Sequence, residues 1–258
     1  MKYVAMNQAR SGSTRFPNKV MQDLSGKPML LQMIDRVRRS KKIDEVAVVT
    51  TFHRKDIPIV ELCSSNGIRV FVGSEKDVLD RYYQAARLLC PDYVVRLTAD
   101  CPCFDPVLLD EAIEEMDSNA DYLGMMSESF PDGLDLEIIK YGTLSKAWHE
   151  ARLKSEREHV TQYIVKHPEL FTCQDFASGD PSLGSERWTV DEPEDFELVS
   201  KIFEHFSSEG HLDSFGIKEI REYLDDNPQL REINSKFARN EGLAKSLRED
   251  GIMGEGTL

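Results

Sequence analysis

The first hundred residues alternate apolar runs with amphipathic stretches, and this alternation constrains the fold more than any other feature of the chain. Residues 45–51 and 93–98 are apolar on both sides, which is typical of strands buried in a parallel sheet. Between such runs, apolar residues recur at helical spacing, as where Leu30, Ile34 and Val37 share one face. The pattern predicts an α/β fold in which helices flank a mostly parallel sheet.

The predicted elements divide the chain into two parts. Predicted strands lie at 2–7, 45–51, 68–72, 93–98, 121–126, 134–140 and 186–190. Predicted helices lie at 28–39, 56–65, 106–117, 142–152 and 156–166, after Pro193, and within 215–240. A further helix is predicted to begin at a capping box of Ser74 and Asp77 and to end near Leu89. We expect one α/β domain over residues 1–212, with a distinct subregion at about 121–185, and a helical C-terminal extension ending in a polar tail over 213–258.

The charge of the chain limits its partners. A formal net charge of −14 argues against binding to nucleic acid or to an anionic membrane, since both require a cationic surface. The charge is unevenly distributed, because residues 1–60 carry 12 basic against 5 acidic side chains. An anion site is therefore expected in this basic first segment.

The remaining composition excludes several other classes. No apolar run approaches the ~20 residues of a membrane-spanning helix, and the start of the chain lacks the apolar core of a signal peptide, so we expect a cytoplasmic protein. Five cysteines, an odd number, do not suit a disulfide scaffold. Cys101 and Cys103 form a CxC pair with no second pair, which does not fit a zinc site.

The loop after the first strand has the composition of a phosphate-binding loop. Residues 8–19 read QARSGSTRFPNK, so Arg10, Arg15 and Lys19 are interleaved with small residues. Small residues let the backbone N–H groups approach phosphate oxygens, and the three cations neutralise a polyphosphate. The loop matches neither GxxxxGK[ST] nor GxGxxG. A solvated basic loop is the alternative, but it does not account for the position directly after a buried strand.

Two carboxylates follow other predicted strands. Asp100 comes two residues after the strand at 93–98, and Asp191 follows the strand at 186–190. Asp105 and Glu192 each precede a proline and are interpreted as helix N-caps. Carboxylates at strand ends suit Mg²⁺, which takes one or two of them and leaves its other positions to phosphates and water. Turn or cap residues remain the alternative for both aspartates.

Seven ordered motifs resemble the cytidylyltransferases of the spore coat polysaccharide biosynthesis protein F type, which are related to 3-deoxy-manno-octulosonate and acylneuraminate cytidylyltransferases. The resemblance covers roughly residues 2–225, and seven motifs in the same order are more specific than any one of them. They are QARSGSTRFPNKV, LSGKPML, SEKDVLDRYYQAA, RLTADCP, PDGLDLEII, REHVTQYI and RWTVDEPEDF. The resemblance implies a nucleotide-diphospho-sugar transferase (GT-A-like) fold, with the nucleotidyltransferase domain over residues 1–212.

The resemblance also implies a reaction, the transfer of CMP from CTP to a small acidic or sugar-type acceptor with release of pyrophosphate and with Mg²⁺ as cofactor. It implies roles for individual residues. Those that would bind the nucleotide are Ala9, Arg10, Ser13, Thr14, Asp80 and Arg81. Those with a catalytic role would be Arg15 and Lys19 at the leaving pyrophosphate and Asp100, which with Asp191 would also hold Mg²⁺. Those that would face the acceptor are Asp132, Asp135, Glu137, Arg157 and His159.

Other interpretations stay open at this point. A glycosyltransferase that uses a preformed nucleotide sugar shares this kind of fold, although Asp100 has no second aspartate two residues away. A catalytically silent nucleotide-binding protein is a further alternative. His159, a lone histidine on a predicted helix, is more often structural. The apolar residues of the C-terminal extension either cover the sheet or form the interface of a homodimer.

Overall fold

The computed structural model of the chain describes residues 1–239 and 241–251. Within them the strands are β1 (Tyr3–Gln8), β2 (Asp23–Leu24), β3 (Lys27–Pro28), β4 (Glu45–Thr51), β5 (Arg69–Gly73), β6 (Tyr93–Thr98), β7 (Tyr122–Gly124), β8 (Glu137–Lys140) and β9 (Cys173–Asp175). Seven of these described strands form one sheet in the order β5-β4-β1-β6-β8-β7-β9, and β2 and β3 form a small hairpin.

The sheet is mostly parallel on the side formed by the first hundred residues. β1 pairs in parallel with β4 and β6, and β4 pairs in parallel with β5. The carboxyl ends of these four strands therefore meet at one edge, where open α/β sheets bind their ligands. β8 runs antiparallel to both β6 and β7, so the sheet is mixed beyond β6. The predicted fold class is confirmed.

Helices cover both faces of this sheet. They are α1 (Met29–Val37), α2 (Ile57–Ser65), α3 (Val78–Leu89), α4 (Pro106–Glu115), α5 (Tyr141–Glu150), α6 (Lys154–Glu158), α7 (Gln162–Lys166), α8 (Pro193–Ser208), α9 (Ile217–Asp226) and α10 (Glu241–Glu249). Successive residues of a strand point to opposite faces, so Ala5 packs into one apolar cluster and Val4 and Met6 into the other. The first cluster includes side chains of α1, α2, α4 and α8, and the second includes side chains of α3, α5 and α7.

The C-terminal extension packs onto the first of these clusters. Phe215, Ile220 and Leu224 are buried in it. Asp105 links the extension to the domain, because its carboxylate accepts hydrogen bonds from the N–H of Val107, as the predicted N-cap of α4, and from that of Ile217. Of the two alternatives for this apolar face, the structure shows the one in which it covers the core.

The segment 186–190 is not a strand of the sheet, contrary to the prediction. It makes one isolated bridge, between Asp132 and Arg187. Its backbone N–H groups are directed to loops instead, since Trp188 and Thr189 both donate to the carbonyl oxygen of Asp132, and Val190 donates to that of Asp100. This arrangement fixes Asp191 next to two loops that carry other candidate residues.

Three further predictions differ from the structure. The helix predicted at 156–166 is two short helices, α6 and α7, because Val160 between them has a left-handed φ of 58°. The N-cap of α3 is Asp77, whose carboxylate accepts from the N–H of Asp80, and Ser74 accepts from Asp77 one turn earlier. The predicted polar tail contains α10, and residues 252–258 of that tail lie outside the described residues.

Candidate active site

The loop between β1 and α1 folds back on itself and buries its last basic residue. The N–H of Ser11 donates to the buried carboxylate of Asp56 at 2.6 Å, and the N–H of Asn18 donates to the carbonyl of Ser11 at 3.1 Å. Asn18 has a φ of 58° and begins a short 3₁₀ helix over Lys19–Met21. The reversal directs the side chain of Lys19 beneath the loop, where 9% of it is exposed.

Lys19 lies between two carboxylates from distant parts of the chain. Its Nζ donates to Asp100 Oδ2 at 3.0 Å and to Asp191 Oδ1 at 2.8 Å. A third hydrogen bond, 2.7 Å long, goes to the carbonyl of Val190. Asp100 follows β6 and Asp191 precedes α8, where Glu192 is the N-cap as predicted. The sequence singled out Lys19 in the first loop and the two aspartates at predicted strand ends, and the structure brings Lys19 into direct contact with both.

The charges of this cluster stabilise one another. Burial lowers the pKa of Lys19, but the carboxylates of Asp100 and Asp191 raise it further, so that the pKa is above its ordinary value. Burial raises the pKa of Asp100, but the Lys19 ammonium and hydrogen bonds bring it down to about 2. Both groups are therefore ionised at neutral pH.

Arg15 extends the cluster towards solvent. Its guanidinium lies 3.0 Å from Asp191 Oδ2 and 3.1 Å from Glu192 Oε1. Lys19 and Arg15 thus approach the two oxygens of Asp191 separately. Two cations at the mouth of the strand-end crevice can neutralise a bound polyphosphate once its oxygens compete for them.

The two carboxylates suit a hard divalent cation. Asp100 and Asp191 each direct an oxygen to the same ammonium, so their oxygens converge on one small volume. Within residues 1–239 and 241–251, no group of three or more His, Cys, Asp or Glu side chains has the arrangement of a metal site. The protein therefore offers two carboxylates, which is the share that Mg²⁺ takes when phosphates and water supply its other ligands.

The other predicted nucleotide residues of the first loop precede Lys19 in the chain and make contacts of their own. Ala9 continues from β1, and its N–H donates to the carbonyl of Val49 at 3.1 Å. Arg10 is half-exposed and lies 4.0 Å from Glu75, while Ser13 accepts a hydrogen bond from the N–H of Phe16. Thr14 is exposed at the tip of the loop.

Asp80 and Arg81 lie in the first turn of α3, beside the same loop. The carboxylate of Asp80 accepts from Trp148 Nε1 at 2.8 Å, so Asp80 fixes α5 against α3. Arg81 is buried, and its Nε and Nη1 are among the buried atoms of the described chain that have no hydrogen-bond partner. Burial lowers the pKa of Arg81, and the nearby charge of Arg10 lowers it further. Gly73 makes room for it, because a Cβ there would lie 2.6 Å from Arg81 Cγ.

A cavity of about 500 Å³ opens next to Asp100 and Asp191, and we call it the strand-end cavity. Polar residues that line it are Gln8, Arg15, Arg96, Thr98, Asp100, Glu128, Asp132, Asp135, Glu137, His159, Thr161, Gln162, Thr189, Asp191 and Arg239. Its other lining residues are Cys101, Tyr122, Met125, Met126, Leu136, Val165, Gly242 and Leu243. The cavity joins the carboxylate cluster to four of the five residues predicted to face the acceptor.

The fifth, Arg157, is placed elsewhere. Its guanidinium pairs with Asp77 at the start of α3 and donates to the carbonyl of Trp148 at 2.7 Å. It holds α6 against α3 and α5 rather than lining the strand-end cavity. His159 does line the cavity, and its Nε2 lies 2.9 Å from Ser246 Oγ. Burial lowers the pKa of His159, which favours the neutral imidazole at neutral pH.

Asp132 is the most perturbed carboxyl group of the cavity. Its Oδ2 accepts from Arg187 Nη1 at 2.6 Å. Burial and, after it, the neighbouring charge of Asp135 raise the pKa of Asp132 to about 7, although the charge of Arg187 acts to lower it. Arg187 also donates two hydrogen bonds to the fully buried Asp195. Asp135 in turn accepts from Arg239 Nη2 at 2.6 Å.

Three arginines that were not predicted hold these carboxylates in place. Arg96 pairs with Glu137 on the floor of the strand-end cavity, Arg187 pairs with Asp132, and Arg239 pairs with Asp135. Arg96 could have been predicted, because a charged residue inside the apolar strand 93–98 requires a buried partner. The roles of Arg187 and Arg239 could not, since Asp132 and Asp135, which they hold, lie far away along the chain.

The chain was compared with known families, curated proteins and solved structures. Residues 4–227 match the family model described as cytidylyltransferase. The chain is 40% identical over 253 residues to an uncharacterized protein of Methanocaldococcus jannaschii, covering 96% of this chain and 99% of that one. It is 32% identical over 228 residues to the spore coat polysaccharide biosynthesis protein SpsF of Bacillus subtilis, covering 86% and 93%. The structure of a cytidylyltransferase from Leptospira borgpetersenii superposes with a TM-score of 0.84 at 30% identity, covering 93% of this chain and 100% of that one.

Membrane insertion through a helix finds no support in the described part of the chain. Across residues 1–239 and 241–251, every helix is too short or too polar to cross a bilayer.

Proposed function

Because the chain belongs to the cytidylyltransferase family, we propose that it is a Mg²⁺-dependent enzyme that transfers CMP from CTP to a small acidic or sugar-type acceptor and releases pyrophosphate. The observation that carries the proposal is the contact of Lys19 with both Asp100 and Asp191 beneath a basic loop. This arrangement places cations for a triphosphate and carboxylates for a divalent cation at the same strand ends.

The nucleotide is proposed to bind between the first loop and the start of α3. Ala9, Arg10, Ser13 and Thr14 would surround the cytidine and its phosphates. The buried guanidinium of Arg81 supports this placement, since its Nε and Nη1 lack protein partners and a buried donor without a partner is costly. Asp80 contributes by fixing α5 to α3 through Trp148.

Arg15 and Lys19 are proposed to stabilise the departing pyrophosphate. Both are charged and are held at the crevice by the carboxylates of Asp191 and Asp100. Positioned charges of this kind act without reorganising during the reaction. Bound between Asp100, Asp191 and the phosphates, Mg²⁺ would supply charge neutralisation at the α-phosphate.

The acceptor is proposed to occupy the strand-end cavity. From there an acceptor oxygen attacks the α-phosphorus in line as the bond to the pyrophosphate oxygen breaks. Asp132, Asp135, Glu137 and His159 line this cavity and would contact the acceptor, whereas Arg157 would act on its shape through α6. The position of the cavity beside Asp100 supports catalysis mainly by orientation.

We further propose a place in the synthesis of surface polysaccharides, which the name of the Bacillus subtilis relative supports. A homodimer is proposed as the form in solution, and sedimentation velocity on the full chain is the measurement that checks it.

Pyrophosphate release is the experiment that tests the proposed function. The protein, CTP and Mg²⁺ would be incubated with nonulosonic acids, sugar phosphates, phosphonates and small polar acids. We expect release that depends on one acceptor class and falls when UTP, ATP or GTP replaces CTP. Transfer of sugar from a nucleotide sugar with no release from CTP would contradict the proposal and indicate a glycosyltransferase.

A further inference from the structure

Helix α10 contributes to the strand-end cavity although it lies outside the residues matched by the family model, which end at 227. Gly242 and Leu243, at the start of the helix, both line the cavity. The rest of the lining comes from the strand ends, the loops that follow them, and the segment around α6 and α7. One wall of the cavity is therefore built by a part of the chain that the family pattern does not describe.

Arg239, two residues before this helix, is tied to one side of the cavity. Arg239 donates from Nη2 to Asp135 Oδ1 at 2.6 Å and from Nη1 to the carbonyl of Phe130 at 2.9 Å. The side chain of Arg239 is largely buried. Because Asp135 also lines the cavity, the start of the wall is held by one of the residues assigned to the acceptor.

The other end of α10 is tied to the opposite side. Ser246 is buried, and its Oγ lies 2.9 Å from His159 Nε2 and 3.2 Å from Glu158 Oε2. The N–H of Ser155 donates to Asp250 at 3.0 Å, and Lys154 pairs with Glu249. The helix thus lies across the cavity between the loop that holds Asp135 and helix α6.

Gly242 leaves open space where this wall faces the cavity. A Cβ built at Gly242 meets no heavy atom within 4 Å, and the residue has a φ that other amino acids adopt. Glycine is less favourable than alanine in a helix. Gly242 is exposed, and neither crowding nor backbone strain requires a glycine there, so a larger side chain at this cavity-lining position would occupy open space.

We propose that α10 is the wall that selects the acceptor, with Gly242 setting how large an acceptor fits and Leu243 supplying an apolar contact to it. The inference rests on the proposed function in assigning the strand-end cavity to the acceptor. It goes beyond that function by making two residues outside the family match determinants of acceptor specificity.

The test fills or enlarges the cavity at this wall. Gly242→Phe adds a large side chain where the chain leaves space, and Leu243→Ala removes one. Gly142→Phe is the matched control, since Gly142 is also the second residue of a helix with open space around its Cβ but does not line the cavity. Calorimetric titration with CTP and Mg²⁺ on each full-length variant reports the nucleotide half of the site.

Two readouts report the acceptor half. The first is pyrophosphate release with every acceptor that the unaltered protein uses. The second needs no acceptor: mass spectrometry follows the modification by methyl methanethiosulfonate of a thiol introduced by Val165→Cys, since Val165 lines the cavity and is half-buried. This reporter is present in the reference protein and in all variants, and Cys90 and Cys173, which are not buried, are replaced by serine.

We expect Gly242→Phe to slow modification of the introduced thiol about tenfold or more and to lower kcat/KM for the acceptor by a similar factor. Leu243→Ala should speed the modification, and Gly142→Phe should change neither rate. CTP affinity should stay within about twofold in all three variants, since none alters the nucleotide half.

The proposal is overturned if the introduced thiol is modified at the reference rate in both Gly242→Phe and Leu243→Ala while CTP still binds. If the unaltered protein does not bind CTP, that result contradicts the proposed function and not the role of α10 as a cavity wall. If Gly242→Phe does not fold, Leu243→Ala alone decides between the outcomes.

Discussion

At the scale of single residues, Lys19 joins what the sequence presents as separate signals. The first loop predicted an anion site with three basic residues, and the predicted strand ends carried two carboxylates; the structure places one of those basic residues, Lys19, in contact with both carboxylates. The sequence could not predict that one ammonium binds both carboxylates, because this depends on the reversal at Asn18 and on the packing of the segment before Asp191. A Lys with 9% exposure and two carboxylate partners is a positioned charge rather than a solvated one.

Replacing Lys19 or Asp100 with alanine should abolish most turnover. Lys19→Ala and Asp100→Ala each remove a preorganised charge, which typically costs ~10²–10³ in rate. Pyrophosphate release with CTP, Mg²⁺ and acceptor is the measurement, with circular dichroism to verify folding. Lys27→Ala is the control, since Lys27 is an exposed lysine of β3 that pairs at the surface with Asp35. Near-normal release by Lys19→Ala or Asp100→Ala would remove that residue from the mechanism.

Asp132 predicts a pH dependence of stability. Its pKa in the folded protein is raised to about 7 by burial and by Asp135, so the folded state binds its proton more tightly than the unfolded chain does. The contribution to stability is full below about pH 4 and is lost as pH rises through about 7. Asp132→Asn keeps an acceptor for Arg187 but cannot ionise.

Urea unfolding of the wild type and of Asp132→Asn at pH 5 and pH 8 tests this sign. Relative to the wild type, the variant should gain about 1 to 3 kcal/mol in unfolding free energy between the two pH values. A difference between the two proteins that does not change with pH would show that Asp132 has an ordinary pKa.

At the scale of elements, regular strands were predictable and long-range turns were not. The bounds of β4 and β6 coincide with the predicted strands, because burial on both faces leaves a continuous apolar run. The segment 186–190 ends in Trp188, Thr189 and Val190, which favour strands, but it pairs with a turn around Asp132, which no local pattern reveals. Helices α6 and α7 separate at Val160, whose left-handed φ is imposed by tertiary contacts against its local preference.

Gly133 is the glycine on which this long-range turn depends. Its φ is +113°, and a Cβ there would lie 2.4 Å from the N of Thr189. Gly133→Ala should therefore lower the unfolding free energy by about 2–4 kcal/mol, from backbone strain and the clash together. Thermal unfolding followed by circular dichroism measures the loss.

The same substitution should also weaken catalysis, because Thr189 and Asp191 belong to one segment. Gly179→Ala serves as the control, since the space around its Cβ is open and its φ is not positive. A Gly133→Ala protein as stable and as active as the Gly179→Ala control would show that the turn tolerates a side chain.

At the scale of the whole molecule, the strand-end cavity collects residues from nearly the full length of the chain, from Gln8 to Leu243. The residues proposed to bind the nucleotide and the metal could be predicted because most of them lie in one loop and Asp100 follows a buried strand. The side proposed for the acceptor was only partly predictable, since Arg187, Arg239 and α10 reach it through contacts that span more than fifty residues. The excess of basic residues in the first sixty includes Arg10, Arg15 and Lys19, the cations proposed to bind the triphosphate.

A ligand that joins these distant segments should stabilise the whole fold. In the proposed complex, CTP with Mg²⁺ contacts the first loop, Asp100 and Asp191. A ligand concentration of about 100 times Kd adds ~2.7 kcal/mol to the free energy of unfolding when only the folded state binds. We expect a higher Tm with CTP and Mg²⁺ than with either CTP and EDTA or Mg²⁺ alone. Equal melting temperatures in all three conditions would argue against a shared metal and nucleotide site.

The most direct test of the central claim is the fate of the α-phosphate of CTP. CTP labelled at that phosphate would be incubated with Mg²⁺, the acceptor panel and either the wild type or Asp100→Asn. The account predicts that the wild type moves the label into a CMP-acceptor product in a one-to-one ratio with pyrophosphate, and that the variant does not. Label that stays in CTP for every acceptor, or equal transfer by Asp100→Asn, would contradict it.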